Sequence, residues 1–163
     1  MADRHVLLRA VPILALLWVS GCGTLHRWEQ EHSAAIARRD QEDTAEDAAK
    51  ADRAEELISA GGMINVQVLN EIANIARRKM GMSWTETSAF LSLMRGLLPV
   101  QPLTIEIHES GLALAERYGL SIYDAMIAAS ALHADCDTLW SEDMQDRIVL
   151  DGRLRVVNPF RVP

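Results

Sequence analysis

Short apolar runs alternating with longer stretches of helical periodicity are the feature that most constrains this chain. The runs lie at 63–66, 100–103, 137–140 and 154–157. Between them, apolar residues recur at helical spacing: Ala51, Ala54, Leu57 and Ile58 in the first stretch, then Val68, Leu69, Ile72, Ile75 and Ala76 in the second. Each stretch carries its own punctuation. Gly61-Gly62 stops the first, Gly81 the second and Gly119 the fourth. Ser83 with Glu86 forms a capping-box signature, and Thr104 and Ser121 are caps for the two helices that follow. Strands too short to alternate, separated by helices of ten or more residues, predict an α/β fold whose parallel sheet is covered on both faces.

The chain divides into a signal-like or replaced segment at 1–22, a polar linker at 23–47 and a folded domain at 48–163. The linker reads as a tether or a solvated helix, because it lacks a sustained apolar stripe. Formal net charge is −7, with much of the negative charge in 40–56. That balance excludes nucleic-acid binding by blanket phosphate neutralisation and leaves a metal ion or a local basic patch. Arg77, Arg78 and Lys79 form one such patch, at the end of the second helix. Cys22 and Cys136 provide neither a disulfide framework nor a thiolate metal site. Cys136 is expected to be a small buried residue at a strand start, and Trp84 and Trp140 are expected in the core.

Three carboxylates carry the chemistry. Glu71 lies in the first turns of the helix after the 63–66 run, and Asp124 in the first turn of the helix capped by Ser121. Asp143 follows the 137–140 run by three residues. In an open parallel sheet, chemistry gathers at the carboxyl ends of strands. Carboxylates crowded there repel one another, and a hard cation such as Mg²⁺ or Mn²⁺ relieves the repulsion. Taken singly, each residue is also a helix cap or dipole partner.

The segments KADRAEEL, VQVLNEIANIARRK, LALAERYGLSIYDAMIAAS, TLWSEDMQD and DGRLRVVNPF together resemble the PIN-domain nucleases, and among them the VapC-type toxins of toxin–antitoxin pairs. The resemblance implies a three-layer α/β/α domain with a short-stranded parallel sheet. It implies that Glu71, Asp124 and Asp143 bind Mg²⁺ or Mn²⁺ in an endoribonuclease that hydrolyses RNA phosphodiester bonds. Ser141, in a Ser-x-Asp setting, would orient a ligand or water. It further implies a small antitoxin partner and a homodimer. The alternative is a catalytically dead domain that binds a partner through Met80, Met82, Trp84, Phe90 and Leu91.

The N-terminus departs from the family pattern, in which an apolar strand ends in the first metal-binding aspartate. Here the strand is expected to be missing or replaced, with the apolar run at 6–19 as a makeshift substitute. Asp3 and Asp43 are the candidates for the first aspartate, and loss of that group would inactivate the enzyme. Arg4, Arg9, the apolar run and Cys22 also resemble a lipoprotein signal that would anchor the chain to a membrane through Cys22. An RNA substrate favours a cytoplasmic location over that alternative.

Overall fold

The computed structural model describes residues 5–7 and 36–161, with side chains described from residue 47. The readings that fall on 1–4 and 8–35, including Asp3 and the signal-like run to Cys22, lie outside the described residues.

The second half of the molecule is organised around α5 (Ile122–His133), in which every residue from Ala125 to Leu132 is buried. A helix apolar on all sides belongs inside a fold, and small side chains let its neighbours approach. α4 (Ile105–Tyr118) packs on it at Gly111. A Cβ placed on Gly111 would lie 2.5 Å from Met126 Cε and 3.3 Å from the Ala125 carbonyl oxygen. Met126 can swing aside, but the carbonyl is fixed in a helix. Gly111→Val is therefore expected to cost about 1–3 kcal/mol by overpacking, despite the better helix propensity of Val. Denaturant unfolding should show a lower midpoint at an unchanged slope; an unchanged midpoint would mean the helices separate without cost.

The caps are where the sequence places them. Asp124 N donates to Ser121 Oγ at 3.1 Å, and Ile107 N to Thr104 Oγ1 at 3.4 Å. In α3 (Trp84–Leu97), Glu86 N donates to Ser83 Oγ while Ser83 N donates to Glu86 Oε2 at 2.7 Å. Hydrogen bonds from Ser83 hold the Glu86 carboxyl below its ordinary value. Its share of the cap is thus present above the ordinary Glu range and is lost as pH falls through the lowered value. α4 ends on Gly119 in the left-handed region, φ 67°, which glycine adopts without the Cβ penalty.

α1 (Ile36–Ser59) begins inside the segment read as a tether or solvated helix, and the helical reading holds from residue 36. It buries Ala51, Ala54 and Leu57. α2 (Val66–Arg78) buries Val68, Ile72 and Ala76, one residue per turn.

The last strand spans its whole run, 154–157, while those at 63–66, 100–103 and 137–140 are shorter than theirs, and the strands form two sheets. β2 (Ile64–Asn65) pairs in parallel with β3 (Val100–Gln101). β4 (Thr138–Trp140) lies between β1 (His5–Leu7) and β6 (Leu154–Val157), parallel to both. β5 (Val149–Leu150) adds an antiparallel edge to β6 across the Asp151-Gly152 turn. This antiparallel edge strand adds to the expected parallel sheet and was not expected, because two residues leave no readable periodicity. At the other side, the expected gap is filled by a replacement: His5–Leu7, from the start of the signal-like segment, pairs with β4 in register His5 to Thr138 and Leu7 to Trp140. Helices flank the small parallel sheet in a three-layer α/β/α arrangement. Leu139, Leu150, Leu154 and Val156 are fully buried at its centre. Cys136 is buried just before β4, as expected. Among the described residues, no helix is long and apolar enough to cross a membrane.

Candidate active site

Two contacts fix how the smaller ladder lies against α5 and β4. Before β2, Met63 Sδ is 3.7 Å from Cys136 Sγ, at the amino end of β4. At the end of β2, Asn65 Nδ2 donates to Ser130 Oγ at 2.9 Å, two turns nearer the start of α5. β2 therefore advances from the amino end of β4 toward the N-terminus of α5. α5 in turn runs back against β4, entering it through the short link at 134–137, so its N-terminus points to the carboxyl end of β4. Asp124, Asp143 and the start of α2 all face this one end of the sheet.

Asn65 builds the corner, and sequence reading missed it. It is 1% exposed, and its Oδ1 accepts from Val68 N at 3.0 Å, capping α2 while its amide grips α5. The signal was present, because asparagine just before a periodic apolar run is a helix-start residue. It was hidden by reading the strand through Val66. α2 then carries Glu71 in its second turn, half-buried, with Gln67 Nε2 donating to Glu71 Oε1 at 3.3 Å.

Asp124 sits in the first turn of α5, where the partial positive charge of a helix N-terminus favours a carboxylate. Ser121 Oγ donates to Asp124 Oδ2 at 2.6 Å, and Oδ1 is shut off from bulk solvent. Ser121 thus both caps the helix and fixes one oxygen of this carboxylate.

Asp143 is exposed on the loop after β4. Ser141 is 1% exposed; its N–H donates to the Val157 carbonyl and its Oγ accepts from Met144 N at 3.2 Å. That bond ties the hydroxyl oxygen to the turn that carries Asp143 and leaves its O–H to donate. Asn158 braces the same loop: its N–H donates to Asp146 Oδ1 at 2.8 Å and its Nδ2 to the Glu142 carbonyl at 3.4 Å. Neither Asn158 nor Asp146 had a sequence signal, since their roles depend on β6 lying beside the loop. From α1, Lys50 Nζ comes within 3.9 Å of Glu142 Oε1, and the Arg53 guanidinium lies 5.8 Å from the Trp140 ring centroid.

The elements that carry the three carboxylates thus share one end of the sheet, and carboxylate is a donor type that suits a hard divalent cation. Proximity stops there. Among the described residues, no three His, Cys, Asp or Glu side chains form a group that could hold a metal ion. β1 runs parallel to β4, so its carboxyl end faces the same side, and the residues next in sequence are Leu8, Arg9 and Ala10. Asp3 precedes the strand, and Asp43 lies within α1.

Of the residues expected to form a partner face, Met82 is buried, while Phe90 and Leu91 pack against the core. Trp84 departs most from expectation. It is 71% exposed, whereas Trp140 is partly buried against the core. A cleft of about 240 Å³ lined by Ser110, Arg117, His133, Asp151 and Arg153 lies at the opposite end of the sheet, where β6 begins. Its arginines are paired with Asp151 and Asp135.

A family model for the PIN domain matches residues 32–149, well over half of the chain. The chain belongs to the PIN-domain family, whose fold is of nuclease type and whose members generally use divalent metal ions. No curated protein matches it.

Proposed function

We propose that the chain is a divalent-metal-dependent endoribonuclease of the VapC toxin kind, hydrolysing RNA phosphodiester bonds at the end of the sheet where Glu71, Asp124 and Asp143 converge. What supports this reading is that the elements carrying Glu71, Asp124 and Asp143 begin or end at one end of the sheet, in a chain of nuclease-type fold. In this reading the three carboxylates would hold Mg²⁺ or Mn²⁺, which when bound supplies a water of lowered pKa and positive charge against the phosphate oxygens.

The chain's own residues do the arranging. Ser121 fixes the rotamer of Asp124 through the 2.6 Å hydrogen bond, and Gln67 does the same for Glu71. Ser141 and Asn158 hold the Asp143 loop against β6. Such support matters because catalytic groups must be held close to their productive geometry. A cytoplasmic location, a small antitoxin and a homodimer belong to the same proposal.

The purified chain should cleave single-stranded RNA with Mn²⁺ and stop when the ion is chelated. Cleavage indifferent to chelation would sink the metal-dependent reading. A second reading, a non-cleaving module that docks a small partner, is favoured by the sequence after β1, where Leu8, Arg9 and Ala10 provide no carboxylate. Absence of cleavage together with co-purification of a small antitoxin-like protein would select it.

A further inference from the structure

Trp84, expected in the core, stands instead on the surface. Single exposed apolar side chains are ordinary on protein surfaces, but this one is fixed in place. It is the first residue of α3, immediately after the Ser83–Glu86 capping box. Buried Met82 anchors the chain on its other side. The Arg77 guanidinium lies 4.6 Å from the ring centroid, and Arg77 also donates to the Met82 carbonyl, so one face of the indole is backed by a held cation. With 71% of the residue exposed, the other face is open.

The surroundings point to what that face takes. Gln67, Asn70, Glu71, Asn74 and Arg78 line one polar side of α2. Arg78 is seven residues from Glu71, so the two share a face about 10 Å apart along the axis. A strand whose phosphate reaches the Glu71 end can lie along this side and meet Arg78 and Lys79, both exposed and next in sequence to the Arg77 that backs the indole. In a chain of net charge −7, this is a local basic patch of the kind a nucleic-acid binder needs.

We infer that Trp84, backed by Arg77 at the end of α2 that also carries Arg78 and Lys79, is a stacking platform for an unpaired base of single-stranded RNA that runs along α2 from the carboxylate site. The inference rests on the RNA reading above. Aromatic stacking is tolerant of sequence, because every base has a flat face. The platform therefore adds affinity and register without selecting a base. The cation behind the ring strengthens it through attraction to the π-face.

The test is binding of a fluorescein-labelled single-stranded RNA in EDTA, followed by anisotropy as a function of salt. Trp84→Ala should weaken binding by between about 5-fold and about 150-fold, with the salt dependence unchanged. Trp84→Phe should keep most of the affinity. Arg78→Ala should instead flatten the log–log salt slope by about 0.7, the value for one lost single-strand phosphate contact. RNA with abasic units should bind wild-type protein more weakly, which tests the platform without altering the protein. Wild-type binding that neither Trp84→Ala nor abasic RNA diminishes would overturn the platform and leave the RNA reading standing. A wild-type chain that neither binds RNA nor cleaves it with Mn²⁺ would overturn the RNA reading, and the platform with it.

Discussion

Asp124→Asn is expected to reduce Mn²⁺-dependent RNA cleavage by at least about 100-fold while leaving the protein folded. The substitution removes charge and little else. The asparagine oxygen can still accept from Ser121 Oγ, so the start of α5 keeps its hydrogen bond. What the helix loses is a first-turn carboxylate, worth about 0.3–1 kcal/mol, against a domain stability of about 5–15 kcal/mol. A thermal melt should therefore move slightly, and cleavage should collapse. Glu71→Gln and Asp143→Asn should each have the same effect. The triple variant should be little worse than any one, because groups acting as a unit give non-additive losses. Additive losses would mean that the carboxylates act separately. Undiminished cleavage by Asp124→Asn would remove Asp124 from the site.

The contrast between what was and was not legible in the sequence is physical. Helix starts were readable because a cap is local: Ser83 with Glu86, Thr104 and Ser121 satisfy N–H groups three residues away, whatever the rest of the fold does. The order of Glu71, Asp124 and Asp143 along strand ends followed from the same local pattern. β5 was illegible because two residues have no period, and its antiparallel sense is decided by the Asp151-Gly152 reversal against β6. The first strand was expected to be missing or replaced, because only two residues precede Asp3. Its replacement by His5–Leu7 depends on the open edge of β4, a feature distant in sequence. Trp84 was assigned to the core from its apolar neighbours, yet it opens α3 at the end of the helix and lies against the Arg77 guanidinium, largely exposed. Ser141 was read as orienting a ligand or water; the bond its oxygen accepts from Met144 N is visible only once the loop is closed. The cap that Asn65 makes on Val68 was local, but its bond to Ser130 and that of Asn158 to the Glu142 carbonyl act across elements, beyond any short window of sequence.

Leu139→Ala is expected to be the most damaging single truncation in the sheet, lowering stability by about 2–5 kcal/mol. Leu139 has no exposed surface and is the middle residue of β4, with Val6 of β1 on one side and Val156 of β6 on the other. Its side chain therefore lies at the one place where three strands and the covering helices all meet. Truncation removes the transfer energy of the lost carbons and leaves a cavity, and a central strand clamped by two ladders has little freedom to collapse into it. For a chain of this length the change corresponds to a fall in melting temperature of about 4–20 °C. The same residue stands two positions before Ser141 and four before Asp143. Slackening of β4 should thus also loosen the carboxylate loop, and cleavage should fall by more than the unfolded fraction explains. Leu112→Ala, on an exposed part of α4, is the matched control and should stay within about 0.5 kcal/mol of wild type. A Leu139→Ala protein that melts like wild type would show that β4 is not the centre of the sheet, and the convergence of the three carboxylates at its carboxyl end would lose its structural basis.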